Sequence, residues 1–401
     1  MNDTSTVPLN LDARRFLPDD GYAGTLVARA WRGDVQGPSV VALREHGVYD
    51  ISADVPTMST LLELPDPAAR VRAATGERLG SLEELLANSD ESQRDRARPF
   101  FLAPCDLQVV KAAGVTFATS LIERLIEEQA DGDPAKAAAV RGRVLESIGT
   151  DLSKLKPGSG QAMRLKQLLQ EQGLWSQYLE VGIGPDAEVF SKAPVLSAVG
   201  TGADIGIRSD SSWNNPEPEV VLAVSSRGRI VGATLGNDVN LRDLEGRSAL
   251  LLSKAKDNNA SCAIGPFIRL FDASFGLAQV RRERVNLRVD GPEGFVMEGL
   301  NSMEFISREP QDIVEQVLAA HQYPDGFMLF LGTLFAPTQD RDAHGAGFTH
   351  KLGDRVSIRS ANLGELCNRV THSEKAAPWT FGLRAFMANL AQRGLLTKGG
   401  L

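Results

Sequence analysis

The chain has 401 residues, 42% of them hydrophobic and 23% charged, with a formal net charge of −8. Those proportions describe a globular chain with room for two or three domains, and exclude a disordered or fibrous one. The negative charge, with no basic run interleaved with aromatics, argues against a nucleic-acid surface, and no apolar run reaches the length of a membrane span.

Residues 1–100 carry short β-like runs, Thr25–Trp31, Ser39–Leu43 and Gly47–Ile51, and a helical stretch at Ser81–Leu86. None of them gathers reactive side chains. They are expected to form a small N-terminal domain, with Arg96–Cys105 leading into a main domain over 101–401. Three helices should follow. From Ser120 to about Ala130, Leu121, Ile122, Leu125 and Ile126 fall on one stripe, and Ser120-x-x-Glu123 reads as a capping box. Asp133-Pro134 starts the second, with proline at the first helical position. Ser159 caps the third, Gln161 to Gln172, which Gly173 would end. From 178 onward the character turns to β, with helices returning at Gln311–His321 and Phe381–Arg393. Helices, a β-rich centre and outer helices define an α+β chain with a rolled, mixed sheet.

The chemistry-bearing pattern lies in the β-rich centre. Glu219 opens the apolar run Glu219–Val224; Ser225–Gly228 follows, then a second run, Arg229–Leu235. Two such runs about a glycine-bearing turn predict a hairpin. Glu217 and Glu219, two apart, share a face. Folding about residues 226–227 brings Asp238 back beside position 215, diagonal to Glu217. Prolines 216 and 218 forbid regular ladder bonding, which marks a shaped start to the strand. Two glutamates at a strand start are usually a solvated face; the third acid at the return end favours a cluster instead. Oxygen donors without histidine or cysteine favour a hard cation, Mg²⁺ first, with Mn²⁺ and Ca²⁺ as alternatives. Lys256 follows the cluster. Most lysines lie on the surface, but one beside metal-binding carboxylates can polarise an oxygen, or shuttle a proton if its pKa is lowered.

Pro-Glu-Pro-Glu, then Gly236-Asn-Asp238 with Arg242-Asp243, Lys256 and Gly265-Pro266, resembles the fumarylacetoacetate hydrolase family. The likeness extends upstream to Phe190-Ser-Lys192-Ala-Pro194. Downstream it takes in Gly332-Thr333, Gly353–Ile358 and Leu363–Val370, so that it spans roughly residues 105–370. It implies a β-roll core with mixed sheets behind a small N-terminal domain, and a homodimer. It also selects Lys256 over Lys254 and implies Lys192 near the site, as substrate contact or structural ion pair. Gly332 and Thr333 would bind a substrate carboxylate, and Arg242 would face the site or pair with Asp243, the more ordinary fate for Asp243.

Hydrolytic family members carry a histidine that activates water before the first helix of this region; here Ser120 stands in that place. The remaining histidines, His46, His321, His344, His350 and His372, are not where hydrolysis would want a base. Val115-Thr-Phe-Ala…Glu123-Arg124, with Glu180–Phe190 and Ser212–Glu217, is similar to the 2-keto-3-deoxypentonate (2-keto-3-deoxyarabinonate) dehydratase members. That likeness implies a lyase: metal-dependent dehydration of a 2-keto-3-deoxy sugar acid, through a metal-stabilised enolate, to a 2,5-dioxo acid such as α-ketoglutarate semialdehyde. Lys256, Glu123 and Ser120 are its candidate catalytic residues, with Glu127 a further acid/base candidate.

The alternative is a C–C hydrolase of 2,4-diketo acids (an acylpyruvase or diketo-deoxy sugar acid hydrolase) giving pyruvate, with His344, His350 or Glu123 as base. A binding protein without turnover is the third. Met1-Asn-Asp-Thr-Ser-Thr does not read as a signal peptide. Three separated cysteines, Cys105, Cys262 and Cys367, suit a reducing compartment, so the chain is expected in the cytoplasm. The glycines of Gly200-Thr-Gly202-Ala-Asp-Ile-Gly206 miss the dinucleotide-binding spacing by one residue, which discards that site.

Overall fold

The structure, a computed structural model, describes residues 8–148, 155–171, 175–337, 339–343 and 347–396. The chain is α+β, built on two mixed sheets. The larger runs, in spatial order, through Glu77–Gly80, Gly47–Asp50, Gly37–Arg44, Leu26–Arg32, Cys262–Leu270, Ile230–Asp238, Pro218–Val224, Phe327–Phe330, Val109–Gly114 and Glu188–Ala193. The strands of the first hundred residues therefore extend the sheet of the remainder, joined where Leu26 and Val27 meet Arg269 and Ile268. The smaller sheet orders Val296–Ser302, Arg284–Asp290, Arg355–Ser360, Gly364–His372 and Asp204–Ile207.

The central strand Pro218–Val224 is buried along its whole length, which explains its unbroken apolar run. Val220, Leu222 and Val224 pack toward the smaller sheet, against Leu287, Ile358 and Leu366. Val221 and Ala223 face the opposite core, with Met328 and Phe330 and with Met58, Leu61 and Val71 from two N-terminal helices. A third core belongs to the helices Ala118–Gln129, Pro134–Ile148, Gly160–Glu171 and Gln177–Ile183, into which Trp213 inserts. Gln177–Ile183 corrects the expectation of β character from 178. Ser159 does bond Ala162 N at the start of the third predicted helix, as a cap should. Gln172 and Gly173, its predicted end, lie outside the described residues. No helix among the described residues is long and apolar enough to cross a membrane.

Candidate metal centre

The hairpin forms with a different register from the one expected. Pro218 pairs with Asn237 and Glu219 with Gly236, and the pairing shifts between Ala223 and Val224. The turn is longer than expected, with Ser225 N bonding back to Arg229 O. Asp238 consequently lies opposite Glu217, its N–H bonded to Glu217 O at 3.1 Å, and not beside position 215. The bulge adds residues to one strand and moves every later pair along. Asn237 Oδ1 accepts from Glu217 N at 3.0 Å, a contact that shapes the strand start where the prolines interrupt the ladder.

Glu217, Glu219 and Asp238 are all buried and offer oxygens that lie within 4.8 Å of one another. Glu219 Oε2 accepts from Gly332 N at 2.6 Å. Lys256, at the end of the short helix Leu252–Lys256, reaches Glu217 Oε2 at 2.6 Å and Asp238 Oδ2 at 3.2 Å. Lys192 Nζ lies 2.8 Å from Asp238 Oδ1 and also donates to the carbonyl of Lys256. Lys192 sits where the pairing skips from Ala193 to Ser191, a bulge that re-aims its side chain inward. Of its two expected roles the structure gives it the ion pair.

Burial, then the charges of Asp238 and Glu217, push the Glu219 carboxyl well above the carboxylate range. Burial acts the same way on Asp238, but Lys192 and Lys256 outweigh it and hold that carboxyl low. For Lys256, burial opposes the charge, yet Asp238, Glu217 and Glu245 keep the ammonium above the ordinary lysine range. The direction is opposite to the lowering that proton shuttling would need.

Several predicted residues have other partners. Ser120 does not cap its helix, which starts at Ala118; its hydroxyl folds back on Phe117, donating to O at 2.9 Å and accepting from N at 3.3 Å. Glu123 is held by Arg141 and, at 3.2 Å, by Arg242. Both of its oxygens accept from guanidinium groups. Glu127 is likewise held, by Arg124 at 2.6 Å and Arg242 at 2.7 Å. Arg242 is buried between these two carboxylates and stacks 4.2 Å over Trp213, so it braces helices and is not open to a substrate. Asp243 does not take the expected pairing with Arg242: it accepts from Ser211 Oγ at 2.9 Å and Ser212 N at 2.8 Å.

Gly332 spends its N–H on Glu219, whereas Thr333 Oγ1 accepts from Phe335 N at 3.1 Å and keeps its O–H as a donor. Gly332 has φ +86°, and a Cβ there would stand 2.1 Å from Thr116 Oγ1, so only glycine fits. His350 Nδ1 lies 2.9 Å from Asp354, with no contact to the carboxylate cluster. His344 lies outside the described residues.

Two groups were missed. Arg124 contacts Glu217 Oε1 at 2.8 Å, Glu127 at 2.6 Å and Glu245 at 2.9 Å; its signal was the i, i+3 spacing to Glu127. Glu188 opens the strand that carries Lys192, and its carboxyl has no hydrogen bond or ion pair among the described residues. Burial raises its carboxyl above the ordinary range, with Arg124 and Lys256 pulling down and Glu217 and Asp238 pushing up. Its signal was the even spacing to Lys192, which the bulge obscures.

The residues present fit a divalent cation. Were all ionised, seven carboxylates (Glu123, Glu127, Glu188, Glu217, Glu219, Asp238, Glu245) would exceed five cations (Arg124, Arg141, Arg242, Lys192, Lys256) by two, an excess that adds to burial in raising the pKa of Glu219. All the ligand candidates are oxygens, the donor set of Mg²⁺, Mn²⁺ and Ca²⁺.

Residues 165–371 match the family model described as fumarylacetoacetate (FAA) hydrolase C-terminal, and the chain belongs to that family. It is 31% identical over 188 residues to a 2-dehydro-3-deoxy-D-arabinonate dehydratase of Saccharolobus solfataricus, covering 47% of this chain and 60% of the relative. It is 32% identical over 202 residues to a probable 2-keto-3-deoxyxylonate dehydratase of Haloferax volcanii, covering 50% and 66%. The chain thus spans less than two thirds of either relative's length. Among solved structures it resembles 2-keto-3-deoxy-D-arabinonate dehydratase complexed with magnesium and 2,5-dioxopentanoate, at TM-score 0.60 and 21% identity, over 87% of this chain and 99% of that one. At that identity the likeness establishes the fold.

Proposed function

We propose that this chain is a metal-dependent lyase that dehydrates a 2-keto-3-deoxy sugar acid, a pentonate, to a 2,5-dioxo acid. The observation that carries the reading is the buried set Glu217, Glu219 and Asp238 beside an unpaired carboxyl, Glu188. The dehydratase names of the two relatives support it. Glu217, Glu219 and Asp238 would hold Mg²⁺, which when bound polarises the 2-oxo and carboxylate oxygens of the substrate and acidifies its C3 proton.

Glu188 takes that C3 proton: its carboxyl has no partner among the described residues, and its raised pKa gives it more basicity than an ordinary carboxylate. The C4–O bond then breaks, and the hydroxyl leaves with a proton as water. That leaves a C3=C4 double bond conjugated to the 2-oxo group. Loss of a C5 proton and return of a proton to C3 move the double bond to C4=C5, and this enol tautomerises to the aldehyde at C5, so the net change is the loss of one water. Lys256, kept as an ammonium, supplies a fixed positive charge near the oxygens on which negative charge develops. Lys192 holds Asp238 in place.

Hydrolysis would need a base aimed at a water, and Ser120 at the family histidine's place is turned back on its own helix. The chain is expected to act as a homodimer in the cytoplasm on a small anionic substrate. The test of the metal set is Asp238→Asn: Mg²⁺ binding by calorimetry and dehydration should disappear together. Metal-independent turnover in that variant would refute the reading.

A further inference from the structure

Arg124 belongs to the helix Ala118–Gln129, outside the residues 165–371 that match the family. Its guanidinium nevertheless touches the carboxylate cluster. One terminal nitrogen reaches Glu217 Oε1 at 2.8 Å, while the other is fastened by Glu127 at 2.6 Å and Glu245 at 2.9 Å. Glu217 is therefore held at both oxygens, Oε1 by Arg124 and Oε2 by Lys256.

The two cations are not equivalent. Lys256 bridges Glu217 and Asp238, so it stands between ligands that a divalent ion would join. Arg124 touches Glu217 alone among the three, and its planar fork is anchored behind by two further carboxylates. Of the two oxygens of Glu217, Oε2 accepts from Lys256, which also bonds Asp238, and Oε1 is the one that Arg124 holds.

We propose that Arg124 is a positioning residue of the metal centre: it fixes Glu217 through Oε1 so that Oε2 is presented to the divalent cation. This rests on the metal reading above. It makes the helical segment, as well as the shared β-rich core, a determinant of metal affinity. Two effects of removing Arg124 oppose each other. Coulomb attraction alone would tighten cation binding once a neighbouring positive charge is gone, whereas loss of an orienting partner typically weakens it about 10- to 100-fold. Because the Arg124 fork is anchored on Glu127 and Glu245 and so holds Oε1 in one place, orientation is expected to dominate.

The experiment is Mg²⁺ calorimetry on the EDTA-treated full chain as wild type, Arg124→Met and Arg124→Lys, with Asp238→Asn as control. Arg124→Met should bind at least about tenfold more weakly. Arg124→Lys keeps the charge without the fork and should fall between, about threefold weaker or more. Wild-type or tighter affinity in Arg124→Met overturns the proposal. If circular dichroism shows that variant unfolded, Arg124→Lys decides alone, and wild-type affinity there overturns it. Failure of the wild type itself to bind, or unaltered binding in Asp238→Asn, removes the metal reading and this proposal with it.

Discussion

Replacing Lys256 with methionine separates a fixed counter-cation from a catalytic base. Lys256 is 2% exposed, and its ammonium sits 2.6 Å from Glu217 and 3.2 Å from Asp238. Its removal leaves two buried carboxylates short of a partner, a change that costs about 3–5 kcal/mol in such settings. With an unfolding entropy of roughly 2.1 cal/mol/K per residue, about 0.8 kcal/mol/K for this length, the melting midpoint should fall by about 4–6 °C. Saturating Mg²⁺ should close most of that gap, because the ion supplies the missing positive charge to the same carboxylates. Lys254, half-exposed and 3.7 Å from Asp210, provides the control: its methionine variant should shift stability by less than about 1 kcal/mol. Differential scanning fluorimetry of the EDTA-treated proteins, with and without Mg²⁺, reads all of this. A Lys256→Met protein as stable as wild type without metal, or one that Mg²⁺ fails to rescue, would refute the reasoning.

Glu188→Gln should keep Mg²⁺ affinity while lowering kcat by about 10²–10⁴, the range for loss of a general base; unchanged kcat in steady-state assays would remove Glu188 from that role. Gly332→Ala forces a Cβ to 2.1 Å from Thr116 Oγ1 at φ +86°, and a loss of about 1–3 kcal/mol or more should appear as a lower denaturation midpoint. Asp354 is buried, which raises its pKa, but the Arg341 and His350 hydrogen bonds outweigh burial and hold it low. Its stabilisation is therefore complete above the unfolded aspartate pKa of about 3.9 and lost as pH falls through the lower folded value. Urea midpoints should show Asp354→Asn well below wild type at pH 7, with the gap narrowing below about pH 4; parallel curves would contradict the assignment.

The readings that rested on short sequence distances came through most fully. Apolar spacing located the helix at Ala118–Gln129 to within two residues, and two apolar runs about a glycine-bearing turn located the hairpin, because both are set by neighbours a few residues away. Its register depended on a bulge at Ala223/Val224 and on turn length, neither of which periodicity reports. Side-chain partners were less legible still. Glu123 and Arg242 meet across 119 residues, as part of a buried network whose pairing is set by how the helices dock. Glu188 and Arg124 come to the cluster from an edge strand and a helix with no local mark of that destination. The carboxylates themselves were legible because one hairpin carries all three.

The measurement that bears most directly on the central claim is product identity. EDTA-treated protein would be incubated with racemic 2-keto-3-deoxypentonate, with and without Mg²⁺, and the products read by mass spectrometry. The account predicts a Mg²⁺-dependent loss of one water to a 2,5-dioxo acid. No reaction on that substrate, together with cleavage of a 2,4-diketo acid to pyruvate, would contradict it.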